Sequence, residues 1–280
     1  MKTYYLLFLI LSISSCRQQH KINLPVALKS EDNIILKSEF QTIIDSANVN
    51  GAILIYDLHK NIFYSNDFEW TKQGKLPAST FKIANTIIGL ETGVIESDSI
   101  IFKWDGEEKW LDLWEQDLVL HEAFQFSCVP CYQKVAAQIG PQRMKEYVDK
   151  IQYGDLKIDA TNISNFWLEG ESRISQMQQI DFLKRFYDNQ LPISARTKKI
   201  MRDVMLAEEA MNYKLSGKTG LSNSNNQYNG WYVGYIEIGD NVYFFATNLE
   251  PKTNETNLQD FIKKRKEVTL SALKEMKVIE

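Results

Sequence analysis

The hydrophobic pattern changes period between the ends of the chain and its middle. Two β-rich runs, GAILIYDL and IFYSND, flank the polar turn His59-Lys60-Asn61 and predict a hairpin over residues 51–67. Residues 230–249 repeat this pattern and predict a second hairpin, whereas apolar residues recur at helical spacing between about 77 and 212. We therefore expect an α/β fold of the α+β type: an antiparallel β-sheet built from N- and C-terminal segments, flanked by helices, with a mostly helical second lobe.

A terminal helix is predicted over residues 257–276. Its apolar residues share one face, and Arg265 falls on that same face. One interpretation places Arg265 in the solvated basic run 263–266. The other places its guanidinium against the apolar face, where it needs an anion.

The first sixteen residues have the pattern of an export signal. Lys2 precedes an apolar run from 4 to 13, which is too short to span a membrane, and small residues precede Cys16. The ending Ile-Ser-Ser-Cys is similar to a bacterial lipobox, in which Cys16 is lipidated; the alternative is ordinary cleavage with Cys16 incidental. We divide the chain into a signal peptide with lipobox cysteine (1–16), a tether (17–35) and a folded domain (36–280), and expect an exported, periplasmic, membrane-anchored lipoprotein.

Net charge and cysteine content limit the kinds of ligand that the chain is expected to bind. The 32 Lys and Arg against 36 Asp and Glu give a formal net charge of −4, so we expect no nucleic-acid partner. Cys128 and Cys131 form a C-x-x-C pair, but with three histidines in the chain a zinc site lacks further ligands, and we expect no metal. Since His121 and Cys128 follow apolar helical spacing, small buried side chains are favoured over chemistry; an exported protein also allows a disulfide.

Ser79 and Lys82 are the first candidates for chemistry. They lie one turn apart on a predicted helix that follows Pro77, so the amine can take the serine's proton. Apolar neighbours desolvate Lys82 and lower its pKa, which leaves some neutral amine. The alternative is an N-terminal helix serine beside a snorkelling lysine. Ser271 and Lys274 have the same spacing in the charged terminal helix, and we expect them to be bystanders.

A second motif, Gly217-Lys218-Thr219-Gly220, lies in β-favouring sequence. Its small residues allow a substrate to approach the strand edge, and Lys218 and Thr219 offer a cation and a donor to a carboxylate. The alternative is a solvent-facing turn. A phosphate loop is excluded because the upstream glycine is missing and no helix follows.

In order and spacing, the motifs resemble those of the class D (oxacillinase-type) serine β-lactamases over roughly residues 45–270. They are Ser79-Thr80-Phe81-Lys82, Ser127-Cys128-Val129, Tyr153-Gly154-Asp155, Phe166-Trp167-Leu168-Glu169-Gly170, Lys218-Thr219-Gly220 and Gly230-Trp231-Tyr232-Val233-Gly234. The longer runs PASTFKIANTIIGLETGVI and SCVPCYQKVAAQIG also look like that family. The resemblance implies the serine β-lactamase and penicillin-binding-protein transpeptidase-like fold for residues 36–280.

The resemblance also implies catalytic roles. Ser79 would be the acylated nucleophile, and Lys82 the general base, working as an N6-carboxylysine formed from carbon dioxide. Ser127 would pass a proton to the departing lactam nitrogen, Lys218 would hold Ser127 and the substrate carboxylate, and Trp167 would donate to the carbamate. Carbon dioxide or bicarbonate aside, no cofactor is expected.

Further residues would bind the substrate. Arg265 would pair with its carboxylate, and the backbone N–H groups of Ser79 and Leu221 would form the oxyanion hole. Val129 and Leu168 would form an apolar wall that controls water entry. The predicted substrate-binding set is Thr219, Gly220, Leu221, Arg265, Val129 and Leu168.

One motif departs from the family pattern, since Asp155 stands where the family usually has Asn. An ionised Asp155 that faces the site would repel a carbamate. The alternative is that Asp155 caps or turns the chain, as Asn also can.

The expected activity is hydrolysis of β-lactam antibiotics, penicillins above all, by a serine β-lactamase that confers antibiotic resistance. The alternative is a β-lactam-binding sensor, or a transpeptidase-like penicillin-binding protein, that keeps a stable acyl adduct. Transpeptidases usually have Asn at that position, and apolar Val129 favours the hydrolase because it helps protect a carbamate from water. The sequence makes no prediction of oligomeric state or substrate breadth.

Overall fold

The fold centres on a seven-stranded sheet whose strands come from both ends of the chain. A computed structural model describes residues 33–224, 227–253 and 257–280, so the predicted export signal, Cys16 and nearly all of the predicted tether lie outside the described residues. The strands are β1 (Ile34–Leu36), β2 (Val49–Asp57), β3 (Ile62–Ser65), β4 (Ile101–Phe102), β5 (Leu118–Val119), β6 (Leu206–Glu209), β7 (Tyr213–Ser224), β8 (Gln227–Ile238) and β9 (Asn241–Pro251). The sheet order is β1-β3-β2-β9-β8-β7-β6, and β4 and β5 form a separate pair.

Both predicted hairpins are confirmed. β2 pairs antiparallel with β3, and β8 pairs antiparallel with β9. β2 also pairs antiparallel with β9, from Val49 opposite Pro251 to Asp57 opposite Tyr243, so the two ends of the chain meet in one sheet as expected.

The edge of the sheet differs from the sequence prediction in two ways. β1 pairs with β3 in parallel, so the sheet is mixed rather than wholly antiparallel. β1 also begins at Ile34, inside the segment predicted to be a tether, because its backbone extends the sheet edge at β3. The folded part therefore starts slightly before the predicted boundary at residue 36.

Helices cover both faces of the sheet. They are α1 (Ser38–Ser46), α2 (Phe68–Lys72), α3 (Lys82–Glu91), α4 (Leu120–Gln125), α5 (Val129–Ile139), α6 (Pro141–Ile151), α7 (Gln176–Tyr187), α8 (Ala195–Met205) and α9 (Leu258–Glu275). The predicted helical middle and terminal helix are thereby confirmed, with short strands interrupting the middle.

Alternation along β2 separates two hydrophobic cores. Ile53 and Ile55 join the core made with α1 and α9, whereas Leu54 and Tyr56 face the larger core that holds the middle helices. Each fully buried aliphatic or aromatic side chain contributes roughly 1.5–3 kcal/mol relative to an exposed one. Within the described ranges, no helix is both long and apolar enough to cross a membrane.

Candidate active site

Ser79 lies in a 3-10 turn, Ala78–Phe81, that leads directly into α3. Ala78 adopts a left-handed backbone (φ 51°), which costs a non-glycine residue about 1–3 kcal/mol and persists only where its surroundings impose it. Here the Ala78 N–H donates to the Trp167 carbonyl at 2.8 Å. The Trp231 indole N–H fixes the preceding segment by donating to the Leu76 carbonyl, also at 2.8 Å. The turn that presents Ser79 is therefore held from two sides.

The structure brings the predicted Ser79–Lys82 pair together. Lys82 Nζ donates to Ser79 Oγ at 3.0 Å, and the lysine side chain is fully buried. Burial alone lowers the pKa of Lys82 to about 7, because the charged ammonium loses its hydration. The Tyr132 ring, whose centroid lies 5.2 Å from Nζ, is the aromatic face next to this amine. Near neutral pH, a sizeable fraction of Lys82 is therefore a neutral amine in contact with the Ser79 hydroxyl.

A second serine–lysine pair forms between distant parts of the chain. Lys218 on β7 donates from Nζ to Ser127 Oγ at 3.1 Å and to the Thr219 carbonyl at 3.0 Å. Lys218 is buried, and the loss of hydration, followed by the charges of Lys82 and Arg265, holds its pKa well below the usual range. Ser127 lies between α4 and α5 with a left-handed backbone, φ 56°. Its hydroxyl is thus held beside a lysine that gives up a proton readily.

Glycine at position 220 brings the two pairs into one site. A Cβ there would lie 3.1 Å from Thr80 Cγ2 and 3.3 Å from Ala78 Cβ, so a larger residue would push β7 away from the Ser79 turn. Because Lys218 is two residues away on the same strand, the close approach at Gly220 keeps the second pair near the first.

Arg265 reaches the same strand from α9. Its side chain is 8% exposed, and Nη1 donates to the Gly220 carbonyl at 2.6 Å. Glycine at position 230 makes room for it, since a Cβ there would lie 3.0 Å from Arg265 Cδ. Burial lowers the pKa of Arg265 to about 10, so it stays charged at neutral pH. No carboxylate within the described ranges forms an ion pair with this guanidinium, which suits it to an anionic ligand.

Trp167 lies behind the Ser79 turn. Its side chain is buried, and its ring stacks on Phe81 with centroids 5.6 Å apart. Its indole N–H finds no hydrogen-bond partner within the described part of the chain, a state that costs about 1–3 kcal/mol. Val129 and Leu168 are partly buried against the same core. The site therefore contains a buried donor that an additional acceptor would satisfy.

Known proteins are similar to this chain in sequence and in fold. Residues 47–272 match the penicillin-binding protein transpeptidase domain family. The chain is 40% identical to Beta-lactamase OXA-10 of Pseudomonas aeruginosa over 205 residues (72% of this chain, 77% of that one). It is 38% identical to Beta-lactamase OXA-48 of Klebsiella pneumoniae over 229 residues (82% and 84%). A solved class D β-lactamase from Sebaldella termitidis superposes with a TM-score of 0.83 at 34% identity, covering 88% of this chain and 99% of that one.

The chain belongs to the class D β-lactamases. In this β-lactamase, the sequence left two interpretations of Asp155 open: a carboxylate that faces the site, or a residue that caps or turns the chain. Asp155 is exposed, its carboxylate accepts from Lys157 Nζ at 2.8 and 3.0 Å, and its backbone pairs with Arg173. The exposed Asp155 carboxylate therefore lies against Lys157 rather than in the buried site, and its backbone forms a β-bridge rather than a turn.

A buried network that the sequence does not predict lies behind the nucleophile of this β-lactamase. Thr80 Oγ1 donates to the Pro77 carbonyl at 2.6 Å and accepts from Gln179 Nε2 at 2.8 Å. The Tyr153 hydroxyl lies 3.3 Å from Thr80 Oγ1 and donates to Gln179 Oε1 at 3.4 Å. Nothing in the sequence marks Gln179, because α7 meets Thr80 only in the folded chain. Together the three side chains fix the turn that carries Ser79.

The C-x-x-C motif of this β-lactamase is a disulfide, with both cysteines buried. Burial of Cys128 was predicted, but His121 is exposed and its predicted burial is wrong. The helical phase breaks because α4 ends at Gln125 and α5 begins at Val129. Across the described ranges, no group of three or more His, Cys, Asp and Glu residues is placed to hold a metal.

Proposed function

We propose that this class D β-lactamase hydrolyses β-lactam antibiotics, penicillins above all, through an acyl-enzyme on Ser79. The observation that carries the proposal is the meeting of two serine–lysine pairs, each with a buried lysine, beside Gly220. One pair has a hydroxyl next to an amine whose pKa is lowered to about 7. The other has a hydroxyl next to a lysine of lowered pKa. Acyl transfer from an amide needs both a base for the nucleophile and an acid for the leaving nitrogen.

In the acylation step, Ser79 Oγ attacks the lactam carbonyl carbon, and the hydroxyl proton passes to the Lys82 side chain. Backbone N–H groups of Ser79 and Leu221 stabilise the negative charge on the carbonyl oxygen. When the lactam C–N bond breaks, Ser127 gives its proton to the nitrogen and regains one from Lys218, which lies 3.1 Å away. The product of this step is an ester on Ser79 with a protonated leaving nitrogen.

An N-carboxylated Lys82 fits the residues around it. Only a neutral amine combines with carbon dioxide, and burial supplies one near neutral pH. The unpaired indole N–H of Trp167 is a buried donor suited to a carboxylate oxygen. When bound, the carboxyl group supplies a general base for attack of water on the ester. Val129 and Leu168, partly buried at the same core, limit water near this group.

Substrate orientation rests on the positive side chains along β7 and α9. Arg265 and Lys218 are both buried and both reach β7, where a carboxylate would pair with them. Thr219 adds a hydroxyl donor between Lys218 and Gly220. A small anionic antibiotic fits this arrangement, whereas the overall net charge of −4 does not favour a nucleic acid.

We also propose that the chain is exported to the periplasm and anchored through a lipid on Cys16, where it confers antibiotic resistance. The support is the apolar run and the lipobox-like ending in residues 1–16, which lie outside the described residues. Mass spectrometry of the N-terminal peptide from expressing cells tests this. An acylated Cys16 is expected, and an unmodified peptide cut elsewhere would contradict the anchor.

The activity is tested with the purified protein, a penicillin and a chromogenic cephalosporin, each with and without bicarbonate. We expect many turnovers per enzyme, faster with bicarbonate, and none from Ser79→Ala. A single stoichiometric burst that leaves a stable adduct on Ser79 would instead support the sensor or transpeptidase alternative. Absence of any reaction would contradict both.

A further inference from the structure

The Cys128–Cys131 disulfide directly follows Ser127 in the chain. The bridge encloses Val129 and Pro130 and spans the first turn of α5, where Cys128 is the N-cap residue. Both neighbours of the bridge therefore belong to the proposed machinery: Ser127 precedes it and Val129 lies inside it. The catalytic steps above use neither sulfur.

The disulfide restrains the first turn of α5, which the side-chain cap at Cys128 holds only weakly. Cys128 Sγ accepts from the Cys131 N–H at 3.2 Å, but sulfur is a poor acceptor compared with the oxygen of Ser, Thr or Asp. The covalent bond joins the same two residues and restrains the same turn. Pro130, with its restricted φ, stiffens the loop further.

Ser127 depends on these restraints because its own backbone conformation is unfavourable. Its φ of 56° lies in the left-handed region that a serine adopts only when its surroundings impose it. On its N-terminal side, the Ser127 N–H donates to the Phe124 carbonyl at 3.1 Å, and the Cys128 N–H donates to Ala123 at 2.9 Å. On its C-terminal side the restraint is the start of α5, which the disulfide closes. A change there would turn Ser127 Oγ away from Lys218.

The surroundings of the two sulfurs do not suit a thiol-exchange centre. Cys128 is 2% exposed and Cys131 is 8% exposed, whereas a catalytic dithiol needs an accessible thiolate. A positioning role needs no access and agrees with the burial of both sulfurs.

We propose that the Cys128–Cys131 disulfide positions Ser127 for proton delivery, so that full activity requires the oxidised pair. This inference rests on the proposed function. Misplacing a catalytic hydroxyl by a fraction of an ångström slows the step that uses it, and Ser127 acts in acylation. Deacylation uses Lys82 as its base and is affected less, through Val129 alone. An oxidising compartment maintains such a bond.

The test compares wild type with Cys131→Ser and Cys128→Ser at a temperature where all are folded. We expect both variants to acylate about ten- to a hundredfold more slowly, with a smaller change in the deacylation rate. Cys128→Ser is the sharper variant, because it supplies a better capping oxygen while removing the bridge. Rapid-quench mass spectrometry measures the two rates separately. Normal acylation by Cys128→Ser would overturn the proposal and assign the role to capping.

Reduction gives an independent arm. A dithiol reductant transfers two electrons and two protons to the bridge, forms two cysteine thiols and itself becomes a cyclic disulfide. Because the sulfurs are shielded in the folded protein, wild type is reduced while unfolded and refolded in reductant. With both thiols verified by alkylation and mass spectrometry, it should acylate as slowly as Cys131→Ser, and reoxidation should restore the rate. The same reductant should not affect Cys131→Ser. Full acylation activity of the reduced protein would contradict the proposal.

A stability control separates positioning from general weakening. Ile44→Ala removes a buried side chain from the core between the sheet and α1, away from Ser127. This variant should unfold at a lower temperature yet acylate at the wild-type rate. Equal losses of acylation in Ile44→Ala and Cys131→Ser would overturn the proposal. If wild type itself turns over no β-lactam, the proposed function fails instead, so the two failures are distinguishable.

Discussion

The chain contains two serine–lysine pairs at the same sequence spacing, in two very different environments. Ser79 and Lys82 are buried, and the amine donates to the hydroxyl at 3.0 Å. Ser271 and Lys274 are exposed on α9, and Lys274 donates to the carbonyl of Glu280 instead. Spacing brings a serine and a lysine to one helix face, but removal of water is what turns the lysine into a base.

The difference originates in the two helices. α3 is buried along nearly its whole length, from Lys82 to Leu90, so the Lys82 side chain is shielded from solvent. α9 buries one face only, and Ser271 and Lys274 lie on the other. The lowered pKa of Lys82 is therefore a property of the position of α3 in the core rather than of the motif.

The largest expected effect comes from removing Lys82, with removal of Lys274 as the matched control. Lys82→Ala should leave at most slow acylation and stall deacylation, a loss on the order of 10²–10⁴-fold, because no base remains for water. Lys274→Ala should leave turnover unchanged. Steady-state rates and the fraction of acylated enzyme measure both variants. Normal turnover by Lys82→Ala would contradict the claim that Lys82 is a base and that Lys274 is not.

A pH profile gives the next largest effect. Since the pKa of Lys82 is lowered to about 7, its amine becomes protonated as the pH falls below that value. A protonated amine neither accepts a proton nor takes up carbon dioxide. Activity in bicarbonate-poor buffer should therefore fall about tenfold per pH unit below the pKa, and added bicarbonate should restore part of it. The absence of any bicarbonate effect after thorough degassing would contradict the carbamate.

Substitutions of Arg265 test whether this side chain binds the substrate carboxylate. Arg265→Ala should raise KM about tenfold or more for penicillins, with a smaller change in kcat, because a charge-assisted contact to the carboxylate is lost. Arg265→Lys keeps the charge and should recover part of the loss. Initial-rate kinetics with several penicillins measure both. An unchanged KM would exclude Arg265 from substrate binding.

Asp155 is expected to give the smallest effect. Its carboxylate is exposed and pairs with Lys157, and such surface pairs contribute about 0–1 kcal/mol. Asp155→Asn should therefore change kcat and KM by less than about threefold, since no charge faces the site. A large gain in activity at low bicarbonate would show that the Asp155 carboxylate repels the carbamate after all.

Local pattern was sufficient for much of the fold. Alternation and turn residues predicted the hairpins β2–β3 and β8–β9, and one apolar stripe predicted α9 with Arg265 on its buried face. These features depend on neighbours within a few residues. The parallel pairing of β1 with β3 was missed because it joins segments whose own sequences favour no particular partner.

The site was predictable as a set of residues but not as an arrangement. The motifs identified Ser79, Lys82, Ser127 and Lys218, and the fold brings each serine beside its lysine. The support behind them was not visible in the sequence. Gln179 meets Thr80 across the fold, and the left-handed backbone at Ser127 is imposed by tertiary contacts rather than by the preference of serine.

The most direct test of the central claim, that burial makes Lys82 a neutral amine able to take up carbon dioxide, is carbon NMR with isotope-labelled bicarbonate. Wild type should give one carbamate signal that disappears in Lys82→Ala, persists in Lys274→Ala and weakens as the pH falls below about 7. The same samples should hydrolyse penicillin in proportion to the signal. A fully active wild-type enzyme without a carbamate signal, or a signal unaffected by Lys82→Ala, would contradict the account.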